Sequence, residues 1–330
     1  MNISHWLWQS SVRGEERESF FVEDDIRFID SIGYDHIRLP VDEEQMWDEQ
    51  GNKEPEAFSL LHKALTIAAE YNLRVIVDLH IIRSHYFNNK VRPLWTDPAE
   101  QDKFVALWRD LSAELSKYPN HMVAYELLNE AVSDDPEEWN NLVDRTVKAI
   151  RETEPERKVV IGSNMWQSVR TFDELKVPAG DTNIILSFHF YEPFVLTHHQ
   201  TSWTALKPYT GPVKYPGQLI DTADLKQYGE AVYQEFMNYD LHFTPDSIDS
   251  LLQEPLAFAR EHNLPLYCGE WGCYKSVDNE DMLRWYADVR QKFAKYDIPW
   301  TNWDYKGSFG IVSREGELYQ DLIKVLLAEE

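Results

Sequence analysis

Cysteine is nearly absent from this chain: among 330 residues only Cys268 and Cys273 carry a thiol. Both lie in Cys268-Gly-Glu-Trp-Gly-Cys273, which excludes the disulfide framework of a small secreted scaffold. Each reads as a small buried apolar side chain. Long apolar runs are missing too, since no segment approaches the ~20 uninterrupted apolar residues of a membrane span. Basic residues are scarce, 32 Lys and Arg against 57 Asp and Glu, giving a formal net charge of -25. A surface of that sign repels phosphate backbones and anionic lipids, so neither nucleic acid nor a membrane is an expected partner, and a neutral substrate fits better. No internal repeat, low-complexity tract or signal-peptide pattern is visible. Localisation stays open: secreted or periplasmic if a leader was removed, cytoplasmic otherwise.

What is present is enough apolar material, 43% of residues with 13% aromatic, to bury a sizeable core. Strand-like runs at 3–8, 35–40, 73–80, 122–129, 158–163, 184–191, 264–270 and 299–304 alternate with amphipathic helical stretches. Eight such units predict a (β/α)8 TIM barrel, with residues 1–330 forming a single catalytic domain and the protein a monomer. The intervening faces keep the helical period: Leu60, Leu61, Ala64, Leu65 and Ala68 line one stripe, Phe104, Leu107, Trp108, Leu111 and Leu115 another. Asp135-Pro136 reads as a cap followed by proline in the first turn of a helix over 137–152. The exception is a long loop after strand six, from Glu192 to about Thr244, where loops of ~2–6 residues are usual. Trp203, Tyr209 and Tyr215 among its prolines and glycines predict an ordered wall.

In a barrel the strand ends open on one face, where such enzymes place their chemistry. Those ends carry Arg38, His80, Asn129 with Glu130, His189 and Tyr191, Glu270 and Trp303. Every one is polar or aromatic. Glu130 and Glu270 each close an apolar run, and two carboxylates facing one another serve as acid and nucleophile.

With these motifs in order, the chain resembles glycoside hydrolase family 5, the retaining β-glycanases. The Asn129-Glu130 pair, Arg38 in Ile37-Arg-Leu-Pro-Val41, the His189-x-Tyr191 pair, Glu270-Trp-Gly272 and Trp303 carry the resemblance over nearly the whole length. One departure is His80: many members have a second histidine next to it, whereas here Ile81 follows. The resemblance implies that Glu130 is the acid/base and Glu270 the nucleophile of a double displacement, with the carboxyl groups ~5–5.5 Å apart. It further implies that Arg38 keeps Glu270 ionised, that Tyr191 hydrogen-bonds it, that Asn129 holds the sugar 2-hydroxyl, and that His80 and His189 orient carboxylates and sugar. Trp303 offers a face to a pyranose ring. Trp8, Trp203 and Trp271, with Trp47, Trp95 and Trp166, are candidates for further sugar platforms. The implied activity is an endo-β-1,4-glucanase on cellulose-like or mixed-linkage β-glucan, needing no cofactor and no metal. Mannan, xyloglucan and β-1,3-glucan are alternative substrates for the same core.

Two rivals differ in class. A metal-dependent barrel hydrolase of the amidohydrolase type opens with His-x-His after its first strand, where this chain has only His5, and His198-His199 shows no ligand spacing. A non-catalytic polysaccharide-binding barrel has no need of both carboxylates and the arginine.

Overall fold

The computed structural model of the chain describes residues 1–313 and 315–328. The described residues form eight strands, β1 (His36–Asp42), β2 (Arg74–Ile81), β3 (Val123–Glu126), β4 (Val159–Gly162), β5 (Ile184–Phe190), β6 (Gly217–Gln218), β7 (His242–Phe243) and β8 (Leu266–Trp271). Six of them form one sheet in the order β1-β2-β3-β4-β5-β8, while β6 and β7 make a separate antiparallel pair. From β1 to β5 every neighbour runs parallel. Helices follow the strands, as parallel pairing requires of its crossovers.

The helices begin where their caps dictate. Asp97, Asp135 and Asp278 each accept a hydrogen bond from the backbone N–H two residues on, at 2.9, 3.0 and 3.0 Å, and so start the helices Pro98–Leu115, Pro136–Arg151 and Asn279–Lys295. The faces expected from the sequence are the buried ones. Leu61, Ala64, Leu65 and Ala68 of the helix Pro55–Glu70 are buried, as are Phe104, Trp108, Leu111 and Leu115.

Two compact units divide the chain. One comprises Met1–Phe188 with Glu254–Tyr267, the other His189–Gln253 with Cys268–Glu330. In the first, β1 to β4 put apolar side chains such as Leu39, Val77, Val159 and Ile161 into the core. The segment 3–8, expected as a strand, is joined to β1 by one parallel bridge, Asn2 to Arg38, with the Ile3 N–H donating to the Arg38 carbonyl at 2.9 Å. His5 and Gln9 then take positive φ, which ends regular pairing.

In the second unit, 299–304 likewise meets β8 at a single bridge, Cys268 to Trp300. The fifty residues after Tyr191 are built rather than slack: the helices Phe194–Thr197 and Glu230–Phe236 and the β6–β7 pair run through them. Tyr209 and Tyr215 are buried, and the Tyr209 hydroxyl donates to the Pro212 carbonyl at 3.0 Å. No described helix is long and apolar enough to cross a membrane.

Candidate active site

In the first unit the site is organised by Arg38, fully buried in β1. Its guanidinium forks onto Glu126 of β3, Nε to Oε2 at 2.7 Å and Nη2 to Oε1 at 3.0 Å. Nη2 also lies 3.0 Å from Asp78 Oδ2 and donates to Asn129 Oδ1 at 2.9 Å, and Nη1 donates to Asn2 Oδ1 at 3.0 Å. Register explains the grouping, since Asp78 on β2 pairs directly with Glu126 on β3. Two buried carboxylates thus share one planar cation, the geometry that a guanidinium serves and an ammonium does not.

Burial still dominates their titration. Asp78 is pushed up to about 7, with Arg38 pulling the other way, and Glu126 is raised for the same reason. His80 stands two residues beyond Asp78 on the same face of β2, its Nδ1 2.5 Å from Asp78 Oδ2. Burial, with Arg38 adding to it, holds the imidazole well below its ordinary value. A neutral His80 oriented by Asp78 is the result. The Trp8 ring stands edge-on to it at 4.6 Å.

Glu130 leaves the end of β3 on a left-handed backbone, φ 48°. Its N–H donates to Gln167 Oε1 at 2.9 Å. Just before it, the Leu127 N–H bonds the Val160 carbonyl and the Asn129 N–H the Leu79 carbonyl, both at 3.2 Å, so the segment past β3 is tied alternately to its two neighbours. The Asn129 side-chain oxygen is taken by Arg38, whereas its buried amide nitrogen has no partner among the described residues.

In the second unit Glu270, 4% exposed in β8, accepts the Tyr191 hydroxyl on Oε2 at 2.9 Å. His189 Nδ1 lies 3.7 Å from the same oxygen, beyond hydrogen-bond length. Tyr191 is backed by His198 and Phe309, ring centroids at 5.1 and 6.1 Å, and Phe309 and His198 also support Trp203, each at 6.4 Å. Trp203 is 55% exposed. Trp303 is buried, and its backbone N–H donates to the Trp271 carbonyl at 2.8 Å. Its carbonyl would lie only 2.4 Å from a Cβ at position 272, so only glycine fits the Glu270-Trp-Gly run there.

Several expected platforms are core residues instead. Trp271 has no exposed face, packed among Trp285, Tyr286, Phe293 and Trp300. A ring enclosed on all sides cannot stack on a sugar, which corrects the platform expectation for it. Trp47 and Trp95 are likewise buried, their indole N–H groups donating to Asp110 and to the Val132 carbonyl. Trp8 is 5% exposed and serves as a wall for His80. Trp166, 42% exposed, keeps an open face.

Sequence reasoning passed over Asp78, Glu126 and Gln167. The first two had a signal: a charged residue inside Val75-Ile-Val-Asp78-Leu and Val123-Ala-Tyr-Glu126-Leu is too costly to bury without a partner, and the arginine in β1 is that partner.

The family model for cellulase (glycosyl hydrolase family 5) matches residues 10–308. Endoglucanase C of Acetivibrio thermocellus is 32% identical over 336 residues, covering 99% of this chain and 96% of that protein. Among solved structures, Thermotoga maritima Cel5A in complex with cellobiose superposes with a TM-score of 0.79 at 22% identity, over 98% of this chain and 96% of the other. The same enzyme in complex with mannotriose superposes at 0.78, with the same identity and coverage. Over this length the likeness shows the (β/α)8 fold that eight strand-like segments had predicted.

Proposed function

Because the chain belongs to glycosyl hydrolase family 5, we propose that it is a retaining endo-β-1,4-glucanase, with residues 1–330 acting as one catalytic domain. The observation that carries the assignment of roles is the Tyr191 hydroxyl on Glu270 at 2.9 Å. A phenol donating to a carboxylate stabilises the ionised form and aims its other oxygen, the state a nucleophile requires. Glu270 attacks the anomeric carbon while Glu130 protonates the leaving oxygen. In the second step Glu130 takes a proton from water, which displaces Glu270 from the glycosyl ester.

Arg38 holds the buried Glu126 and Asp78 carboxylates on its guanidinium. By taking the Asn129 carbonyl oxygen at 2.9 Å it also fixes the amide's orientation, leaving Nδ2 to donate to the sugar 2-hydroxyl. His80 and His189 orient the sugar and carboxylates, Trp303 faces a pyranose ring, and Trp203 offers an exposed platform further along the chain of sugars. The substrate is a neutral β-glucan, in keeping with a net charge of -25.

Endoglucanase names among the relatives favour β-1,4-glucan, and the mannotriose complex of Thermotoga maritima Cel5A makes mannan the second reading. A hydrolysis screen over carboxymethyl cellulose, barley β-glucan, glucomannan, xylan and laminarin decides between them. The first two are expected to be cut fastest, with rapid loss of viscosity. Preference for glucomannan would move the assignment to mannan, and preference for laminarin to β-1,3-glucan.

A further inference from the structure

Gln167 belongs to none of the motifs above, yet it is 1% exposed and every polar atom of its side chain is engaged. Its Nε2 donates to Glu126 Oε1 at 3.2 Å and to Ser187 Oγ at 3.0 Å, while Oε1 accepts the Glu130 N–H at 2.9 Å. One amide therefore joins the buried Arg38–Glu126 pair to the backbone of Glu130.

The surrounding backbone is committed to this contact. Met165, Trp166 and Gln167 take φ of 55°, 64° and 52°, and Glu130 takes 48°, so four non-glycine residues sit in the left-handed region. Each such residue costs on the order of 1 kcal/mol and persists only where its surroundings hold it. What holds these is a zip between the segments after β3 and β4. The Trp166 N–H donates to the Ala131 carbonyl at 3.2 Å, the Ser133 N–H to Asn164 Oδ1 at 2.9 Å, and Asn164 Nδ2 to the Ser133 carbonyl at 2.8 Å. Space is reserved as well, since a Cβ on Gly162 would come within 2.2 Å of Gln167 Cγ.

We propose that Gln167 is a positioning residue for proton transfer, its amide fixing the left-handed backbone from which the Glu130 carboxyl is aimed. The proposal rests on the reading of Glu130 as the acid/base. Removing the amide lets Glu130 relax, and it then harms the steps in which Glu130 moves a proton and spares the step in which it does not.

Gln167→Met keeps the length and removes all three hydrogen bonds. On barley β-glucan, whose leaving sugar needs protonation, kcat/KM is expected to fall about 10- to 100-fold, the scale of a misplaced catalytic group. On 2,4-dinitrophenyl β-cellobioside, which needs no acid, kcat/KM stays within about 3-fold, while kcat and KM fall together because deglycosylation becomes limiting. Gln167→Glu retains the acceptor for the Glu130 N–H and is expected to recover part of the loss on glucan. If Gln167→Met does not fold, Ser187→Ala, which takes one of the two acceptors from the amide, gives the same substrate pattern at smaller amplitude. Equal losses on both substrates in every folded variant, or no loss, would overturn the proposal. Glu130→Ala in the same assays separates the two readings. Should Glu130→Ala not spare the dinitrophenyl substrate, the acid/base assignment is what fails; should it spare that substrate while the Gln167 variants do not, the positioning role alone fails.

Discussion

Replacing Arg38 by methionine removes the one cation shown between Asp78 and Glu126, two carboxylates that are both fully buried. Neither can remain ionised there without it, so each must take a proton. Asp78 does so at little expense at pH 7, because burial already lifts it to about 7. Glu126 is raised by burial above its ordinary 4.5, so holding a proton on it costs at most about 3.4 kcal/mol at pH 7 and at most about 0.7 kcal/mol at pH 5. Losing the hydrogen bonds to Asn2 and Asn129 adds about 1 kcal/mol at either pH. Urea unfolding should therefore show Arg38→Met destabilised by about 3–5 kcal/mol at pH 7 and much less at pH 5. Adding Glu126→Gln to Arg38→Met should return most of the pH 7 loss. A penalty under about 1 kcal/mol at pH 7, or one equal at both pH values, would refute the claim that the guanidinium compensates buried charge.

Asp42, at the end of β1, is pushed up to about 8, first by burial, against the pull of the Gln9 N–H and with Asp78 adding to the rise. A folded-state value above the ordinary 3.8 makes its contribution to stability full at low pH and lost as pH climbs toward 8. Asp42→Asn should accordingly gain on the parent between pH 5 and pH 8 in urea midpoint; parallel pH profiles would contradict this. Trp271→Ala should cost about 3–5 kcal/mol in unfolding experiments, because it empties a packed aromatic core. Trp203→Ala, whose ring is 55% exposed and rests on Phe309 and His198, should cost only about 1–2 kcal/mol of stability and raise KM on polymeric glucan, and an unchanged KM would remove it from the binding surface.

The core strands were legible because β1, β2, β4 and β5 are mostly apolar and buried at nearly every position, with Arg38 and Asp78 as charged exceptions inside them. The end segments were less so. Residues 3–8 have the apolar content of a strand, but the positive φ at His5 is invisible in composition. Likewise Pro299 and Pro265 supply no N–H to the pairing around β8. Among site residues, Glu130 and Glu270 could be read as charges closing apolar runs. Gln167 could not, because the left-handed turn that presents it, Met165-Trp166-Gln167, contains none of the glycine or asparagine that usually signals such a backbone. The buried tryptophans failed for the opposite reason: an aromatic beside a catalytic residue looks the same in sequence whether it faces solvent or core.

The account turns on Glu270 as the nucleophile of a covalent mechanism. Incubation with 2,4-dinitrophenyl 2-deoxy-2-fluoro-β-cellobioside, followed by peptide mass spectrometry, tests it most directly. The account predicts inactivation with one fluorocellobiosyl group esterified to Glu270; attachment at any other residue, or turnover of cellulose-like glucan with no adduct formed, would contradict it.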